Sequence, residues 1–495
     1  MKRIMILAVG CVVMVAALTV RAEEWIFLGA RAQGMGGAGV AVANDATAVY
    51  WNPAAYAFEK SFDVQIPYGV GVAATGDVIK QADAAADAMQ AVNFTTILDK
   101  VNAGDVLAAA DLRNALDILL VEIPKLDRPG QGLLGNVSAG LSIRAGHWGL
   151  SGLGLGNFGV DPVVDLTNLS FSTDVNAATQ ITNVVGVGAD RTGLLTASGQ
   201  ALANTIFGLG LGFTQDQSEE LVYQAEQAGV DTSSPAAQTL VTTVAQSTST
   251  TGATDISNNQ SGVVIRGLLA EEFAFTYARP FYMDRLAIGI NGKFISGQSY
   301  YKYVRYEAIE DGDNLEDELT DSNNKRTSSN VGVDLGVLFR PVNRVRLGLV
   351  GRNLNSPDFD TNDPSGKYKL DAQVRAGAAV DVFPMWTVAA DMDVTENESD
   401  VLSGFKSRFL SLGTEVRLHL WKLGIDLRAG LYDNIASSED GMCYTGGIGL
   451  KLWKLQLDFA GGISADKTAI ESGAGATEIP ERMNLTGTLQ WNHRF

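Results

Sequence analysis

The residues Gly34–Gly39 read G-x-G-x-x-G, the spacing of a loop that binds the pyrophosphate of a dinucleotide. Such a loop needs a buried strand before it, a helix after it and a βαβ unit around both. Here only the short run Trp25–Leu28 precedes the glycines, and no parallel βα repeats follow. An acidic residue about 20 positions on, such as Glu59, occurs too often by chance to count. The pattern predicts no dinucleotide site and leaves open why these residues are small.

Few other residues could carry chemistry. The three histidines, His147, His419 and His493, all fall at predicted strand ends or turns. Cys443 is the only cysteine outside the N-terminal apolar run, which excludes an intramolecular disulfide. The sequence therefore predicts no catalytic residue, no cofactor and no metal site, and it predicts that the protein is not an enzyme.

The charge and the N-terminus limit the partners and the compartment. A net charge of −19 repels nucleic-acid phosphates, so we expect no nucleic-acid partner. Lys2 and Arg3 precede an apolar run, Ile4–Val20, and small residues follow at positions 20 and 22. We expect residues 1–22 to be a signal peptide that is cleaved before Glu23.

Alternation of apolar and polar residues predicts strands along most of the chain. In the last strand, for example, Leu485, Leu489 and Trp491 share one parity, whereas Thr486 and Thr488 have the other. Short turns alternate with longer, polar loops, which indicates an all-β fold: a fourteen-stranded antiparallel transmembrane β-barrel. The predicted strands lie near 61–74, 134–147, 148–158, 264–282, 285–297, 328–341, 344–354, 370–382, 386–397, 404–419, 423–433, 442–452, 455–465 and 482–495.

The polar parity of these strands carries many charges. In a membrane barrel this parity lines the lumen, while the apolar parity meets lipid. We expect ion pairs there, including for Asp391 and Asp393, which share one face of their strand. The predicted lumen charge network comprises Arg346, Arg352, Asp371, Arg375, Asp391, Glu415, Arg417, Asp426 and Arg428.

Two insertions interrupt the strand pattern, at about 75–133 and 159–263. Both fall in predicted outer loops, and they are either solvated decoration or a lid or partner-docking face. An acidic run, 307–321, is either a solvated loop or a site where divalent cations bridge to lipopolysaccharide. Predicted helical runs within the insertions are 78–92, 105–123, 216–228 and 236–246.

The segment "GARAQGMGGAGVAVANDATAVYWNPAA", residues 29–55, resembles the N-terminal segment of the FadL/OMPP1 superfamily of outer-membrane barrels. It also resembles that of PorV, a barrel of a bacterial secretion apparatus. The resemblance implies fourteen strands, with residues 23–60 folded as a plug inside a barrel formed by 61–495. The plug residues that it singles out are Gly34, Gly36, Gly37, Gly39, Asp45, Asn52 and Pro53.

A longer pattern points to one branch of this superfamily. "FDVQIPYGVGV" is followed by a helical insertion and then by "GLLGNVSAGLSIRAGHWGLSGLGLG". This order is most similar to the branch named after the conjugal-transfer protein TraF. At the C-terminus, Leu489, Trp491 and Phe495 are similar to the assembly signal that the barrel-assembly machinery reads.

In the third predicted strand, the alternation of apolar residues shifts by one position. Trp148 and Leu150 have one parity, whereas Leu153 and Leu155 have the other. This change predicts either a bulge or kink or an ordinary glycine bend. In the superfamily that the chain resembles, a kink in the third strand opens a lateral path, so the resemblance implies such a path here. The candidate residues for such a kink are Ser151, Gly152 and Gly154.

The resemblance implies a protein of the outer membrane of a Gram-negative bacterium, in contact with membrane lipid and lipopolysaccharide. Its first implied function is the passage or binding of hydrophobic or amphipathic small molecules. The alternative is a structural component of a conjugation or secretion assembly, with protein partners at the loops or turns.

Overall fold

The structure of the protein is a computed structural model. The residues that it describes are 19–20, 23–58, 61–91, 118, 125–165, 188–208, 214–227, 232–233, 260–305, 321–420, 423–437, 441–472 and 475–494.

Fourteen strands of the described chain form one closed barrel, in which each strand pairs antiparallel with its neighbours. The last strand pairs back with the first, from Ser61 opposite Arg494 to Ala73 opposite Arg482. The predicted fold class is thereby confirmed. The strands are β1 (Ser61–Thr75), β2 (Gly132–Ala145), β3 (Trp148–Val163), β4 (Gly262–Phe281), β5 (Leu286–Arg305), β6 (Lys325–Val342), β7 (Val345–Arg352), β8 (Gln373–Phe383), β9 (Trp386–Asp393), β10 (Phe409–Leu420), β11 (Leu423–Asn434), β12 (Cys443–Leu452), β13 (Leu455–Ser464) and β14 (Arg482–Arg494).

The strands form because their sequences alternate with period two. On β1, Ile66, Tyr68 and Val70 face outward and are exposed, whereas Asp63 and Gln65 face inward and are buried. The outer surface is therefore apolar and the lumen wall is polar, the inverse of a soluble barrel with an apolar core.

One end of the barrel has short turns and the other has long connections; we call them the turn end and the loop end. The turn end includes a left-handed run at Tyr282, Met283 and Asp284. At the loop end lie α3 (Val78–Ala91), α4 (Ala197–Gly208) and α5 (Gln215–Gln227). None of the described helices is long and apolar enough to cross a membrane.

The predicted helical runs near 78–92 and 216–228 correspond to α3 and α5. The run 236–246 lies outside the described residues, as do 105–123 apart from Ile118 and 307–321 apart from Asp321. Most of the predicted signal peptide also lies outside them. Its residues Thr19–Val20 pair in parallel with Glu396 and Asn397 at the loop end.

The N-terminal segment 23–58, which we call the plug, forms the core of the barrel. It contains α1 (Ala30–Gly34), α2 (Ala48–Trp51) and a 3₁₀ turn, Pro53–Ala57. Its aromatic rings pack against the wall: the ring of Phe27 lies 4.8 Å from that of Tyr432 and 5.7 Å from that of Phe409, between centroids.

The phase change at Ser151, Gly152 and Gly154 left a bulge and an ordinary glycine bend open, and the structure shows no bulge there. β3 keeps an unbroken register with both β2 and β4 through this stretch. The apolar residues change parity because Leu153 and Leu155 face inward, where they pack against the plug. Because the plug is apolar, a leucine can face either the lipid or the lumen. The alternation of leucines alone therefore does not show which face of the strand points outward.

Candidate functional site

The candidate site is the contact between the plug and the inner barrel wall. The glycine loop of the plug binds a carboxylate, and this carboxylate is a side chain of the barrel wall. The amide nitrogens of Gly39 and Val40 both donate to Oδ2 of Asp391 on β9, at 2.7 and 2.8 Å. Successive backbone amides form an anion-binding concavity of this kind. The G-x-G-x-x-G stretch therefore uses its backbone amides to fasten the plug to the wall.

Small residues at this contact let two backbones touch. Gly36 has a φ of +67°, and a Cβ there would lie 2.7 Å from the carbonyl oxygen of Leu412. The wall supplies its own glycine, Gly430, where any Cβ would meet the backbone of Met35 and Gly36. A Cβ at Gly34 would meet Arg428 at 3.1 Å, and Gly37 lies against the ring of Phe27.

Arg375 on β8 completes the fastening beside Asp391. Its Nη1 donates to Asp393 at 2.9 Å, and its Nη2 donates to Ser411 at 2.8 Å and to the carbonyl oxygen of Gly37 at 3.2 Å. Its Nε lies 3.7 Å from Asp391. Arg375 thus binds the carbonyl oxygen of Gly37 in the plug. It also neutralises Asp391 and Asp393, which the alternation of the sequence predicted to lie on the same face of their strand.

A second ionic cluster holds α1 of the plug. Arg31 donates to both oxygens of Glu415, at 2.9 and 2.8 Å. Arg428 donates to Glu415 at 2.9 Å, to Asp426 at 3.2 Å and to Asp458 at 2.6 Å. Arg31 and Arg428 thus share the Glu415 carboxylate, and this ties α1 of the plug to the barrel wall.

A third cluster lies on the other side of the plug. The Nζ of Lys293 lies 3.0 Å from Asp334 and 3.3 Å from Glu272. Arg352 donates to Glu272 at 3.1 Å, and its guanidinium lies 3.9 Å from the ring centroid of Tyr50 in the plug. This contact is a cation–π interaction in a site shielded from water.

The remaining predicted network residues lie at the edges of these clusters. Arg346 forms two hydrogen bonds to Asp381, at 2.7 and 2.9 Å, and a third to the carbonyl oxygen of Ala41 in the plug. The Nε of Arg417 lies 3.5 Å from Glu415. Asp371 precedes β8 and lines a cavity of ≈ 40 Å³ with Glu272, Arg352 and neighbours.

Asn52 and Pro53 anchor the end of the plug. The Nδ2 of Asn52 donates to the carbonyl oxygens of Val40 and, on β6, Val337, at 3.2 and 3.1 Å. Its Oδ1 accepts from Ala54, which caps the 3₁₀ turn that begins at Pro53. Asp45 accepts from the amide of Thr47 at 2.9 Å, so it forms a tight turn just before α2.

The turn end has two further fastenings. On β2, Arg144 donates to the carbonyl oxygens of Asn44 and Tyr56, at 2.8 and 3.1 Å. On β1, Asp63 accepts from the amide of Ala46 at 2.5 Å. The plug is therefore fixed at the turn end as well as along its length.

At the loop end, the carboxylate of Glu23 lies in a cradle that we name the Glu23 cradle. Its donors are the hydroxyls of Tyr368 and Ser399, the latter at 2.6 Å, and the amides of Asp400 and Val401, at 2.8 and 3.2 Å. Burial raises the pKa of the Glu23 carboxyl to about 7, although the hydrogen bonds from Ser399 and Tyr368 favour the ionised form. The first residue of the predicted mature chain is thus held by two loops.

On the outside of the wall, a groove of ≈ 660 Å³ crosses β12, β13, β14 and β1. Gly446 and Gly461 lie side by side in its floor, and a Cβ at Gly446 would meet nothing within 4 Å. Exposed apolar side chains surround the floor: Val70, Val72, Tyr444, Ile463, Met483 and Leu485. We call this the wall groove.

The assembly-signal residues Leu489 and Trp491 lie on the outer face of β14, and the ring of Trp491 packs 5.6 Å from that of Phe62. Phe495 lies outside the described residues. Among the described residues, no three His, Cys, Asp or Glu side chains are grouped so that they could hold a metal ion.

Sequence reasoning missed several fastening residues: Glu23, Arg31, Asp63, Arg144, Glu272, Lys293, Asp334 and Asp458. The strand residues among them have the lumen-facing parity of their strands, so the same rule could have found them. Nothing in the spacing marks Glu23 or Arg31.

Comparison with known proteins places the chain in a family. Three solved structures are similar to it: the toluene transporter TbuX of Ralstonia pickettii, the toluene transporter TodX of P. putida and the monoaromatic hydrocarbon channel CymD. Their identities are 10%, 9% and 11%, with TM-scores of 0.41, 0.44 and 0.43. Each covers 94% of this chain, and the chain covers 98%, 98% and 97% of them. No curated protein matches the sequence.

The family model described as "F plasmid transfer operon, TraF, protein" matches residues 49–393, more than half of the chain. The match begins within the plug and runs through β9, so it includes the fastening residues Arg375 and Asp391. It confirms the predicted TraF-like branch, and the chain belongs to this TraF family.

Proposed function

We propose that the protein is an integral barrel of the outer membrane of a Gram-negative bacterium that binds and passes hydrophobic or amphipathic small molecules. The wall groove carries this proposal. Its volume of ≈ 660 Å³ falls within the range of about 300–1,000 Å³ that small-molecule sites occupy. Its rim is apolar, and it opens on the face that would meet lipid, where such molecules concentrate.

The same placement implies contact with lipid and lipopolysaccharide, and reading of the C-terminal strand by the barrel-assembly machinery. The proposal assigns the protein no catalytic role. A lateral path through Ser151, Gly152 and Gly154 stays a prediction, and the unbroken ladder of β3 offers it no opening.

The test uses detergent-purified protein and a fluorescent fatty acid. Gly446→Phe fills the floor of the wall groove, and we expect it to weaken saturable binding about tenfold or more, since it removes most of the contact area. Gly292→Phe is the matched control, because Gly292 also faces outward on β5 with nothing within 4 Å of its Cβ. Absence of saturable binding by the native protein, or equal loss in both variants, would contradict the proposal.

A scaffold in a conjugation or secretion assembly is the second candidate. Its supporting observation is the helix pair α4–α5 at the loop end, where Leu194, just before α4, and Phe207, within α4, are 61% and 49% exposed. Crosslinking in intact cells from positions 194 and 207 tests it. Recovery of a stoichiometric partner protein would support it, whereas recovery of lipopolysaccharide alone would count against it.

A further inference from the structure

The plug is fastened unevenly around the barrel. β8, β9 and β10 hold it through charged side chains, and Arg428 of β11 supports Glu415 through an ion pair, as described above. The inner faces of β14, β1 and β2 differ, because between their two ends they carry only uncharged side chains. We call these residues the neutral sector: Asn484, Thr486, Thr488, Gln490, Gln65, Pro67, Gly69, Gly71, Asn136, Ser138, Gly140 and Ser142.

Two cavities lie between the plug and the neutral sector. One, of ≈ 20 Å³, is lined by Gly69, Ser138 and Thr486 on the wall, among others. The next, of ≈ 30 Å³, is lined on the neutral sector by Thr488 and Gln490. Its other walls include the charged side chains Arg31, Asp45, Arg428 and Asp458, which are held in ion pairs. Thr486 and Thr488 are successive inward residues of β14, so the cavities follow one another along the strand. Since about 10–15 Å³ of such space holds a water molecule, each has room for one or two.

Plug side chains present unsatisfied donors to the first cavity. The Nε1 of Trp25 and the Nε2 of Gln33 are buried and have no acceptor among the described residues. Both residues line this cavity. Buried donors are almost always satisfied by protein or by ordered water, so these two point to water in the cavity.

The ends of the neutral sector carry charges that are already bound. At the loop end, Glu24 accepts from Arg482 at 2.9 Å and from Asn136 at 3.1 Å. At the turn end, Asp63 accepts from Ala46 and from Gln490, the latter at 2.8 Å. An ion entering between them would lose its hydration shell and would meet only charges that are already paired, such as Arg31 with Glu415 and Arg428 with Asp458. A small neutral solute would meet hydroxyl and amide groups that replace its hydrogen bonds.

We propose that the seam between the plug and the neutral sector is a hydrated route for water and small uncharged hydrogen-bonding solutes, of the class of urea and glycerol. The proposal rests on the barrel crossing a membrane, as proposed above, but not on the wall groove or its apolar ligand. The plug stays fastened to β8–β11, and passage requires side chains along the seam to move aside, because each cavity by itself has room for only one or two water molecules.

The test measures urea and glycerol uptake by proteoliposomes with stopped-flow light scattering, alongside KCl conductance. Native protein is expected to raise solute permeability above that of protein-free liposomes without steady ion conductance. In Gly69→Leu, even the Cβ would lie 2.9 Å from Thr486 and 3.0 Å from Ser138. We expect this variant to lower the protein-dependent permeability about tenfold, because the side chain displaces the water of a one- or two-water cavity.

Two more variants complete the test. Thr486→Val removes one hydroxyl of the seam with little change in side-chain volume, and it should lower urea flux. This variant tests the seam even if Gly69→Leu fails to fold. Gly292→Leu, on the outer face, should leave urea flux unchanged. Heat-modifiable migration on gels checks folding.

Native flux equal to that of protein-free liposomes would overturn the proposal. So would native-like flux in folded Thr486→Val and Gly69→Leu, or KCl conductance that accompanies solute flux. Gly446→Phe separates the two proposals, because it should weaken binding of the fluorescent fatty acid and leave urea flux intact.

Discussion

At the scale of single residues, Asp391 shows how one side chain gives a glycine loop its role. Its carboxylate accepts two plug amides and lies beside Arg375. The amides would otherwise be buried donors without a partner, and the charge would otherwise be buried without compensation. Removing this carboxylate should therefore cost more than one ordinary hydrogen bond.

We expect Asp391→Ala to lower the free energy of unfolding by about 3 kcal/mol, the size of effect seen when a buried ion pair loses one partner. Urea unfolding followed by tryptophan fluorescence measures it, since Trp25 and Trp51 lie in the plug. Asp360→Ala is the control, because the side chain of Asp360 is 63% exposed. Equal stability of the two variants would show that the glycine loop does not depend on this anion.

Gly36 makes a second prediction at this scale. Gly36→Ala forces a left-handed φ on alanine and drives its Cβ into the backbone of β10 and β11, which cannot rotate away. We expect a lower folded fraction, or a folded barrel with a displaced plug that conducts ions. Gly446→Ala, whose Cβ meets open space, should behave as native protein. Native folding and closure in Gly36→Ala would refute the close-approach argument.

At the scale of elements, the Glu23 cradle ties the start of the plug to two loops of the loop end. Burial raises the pKa of Glu23 from 4.5 to about 7, so the docked carboxyl binds its proton more tightly than an undocked one. Its contribution to docking is complete below about pH 4.5 and is lost as the pH rises through about 7.

Hydrogen exchange of the amides near residues 23–28 should therefore be slower at pH 5.5 than at pH 8.5, after correction for the intrinsic rate. Glu23→Gln, which cannot ionise, should remove most of this difference. A pH dependence that persists unchanged in Glu23→Gln would assign the effect to another group.

The elements themselves were largely predictable from the sequence. Alternation along β1 to β14 is a local property, and all fourteen strands lie where it placed them, with ends that differ by up to eight residues. The β3 phase change was misread because parity tells which residues share a face, not whether that face meets lipid or an apolar plug. The helix α4 was missed because its sequence, ASGQALANTIFG, has no strong polar and apolar faces.

The sequence predicted much less well which plug residue contacts which wall residue in the site. Parity could place Arg375, Asp391 and Glu415 on lumen-facing positions, but their plug partners are more than 300 residues away along the chain. Such contacts follow from how the plug sits in the lumen, which spacing does not encode. The dinucleotide loop was excluded on context, namely the missing βα repeats, and not on the spacing of its glycines.

At the scale of the whole molecule, the barrel and the plug depend on each other for stability. The lumen wall is too polar to pack by itself, and the plug is too short and irregular to be stable outside. Together they bury an aromatic cluster inside three ionic clusters, with the neutral sector as the least strongly fastened side. This arrangement predicts a barrel that is closed to ions until the fastenings on β8–β11 are broken.

Ion conductance in a planar lipid bilayer tests this central claim most directly. Native protein should insert and show no steady conductance, whereas the double variant Asp391→Ala and Glu415→Ala, checked as folded by heat-modifiable migration, should show steady open-channel current. Steady conductance by the native protein, or a folded double variant as closed as the native one, would contradict the account.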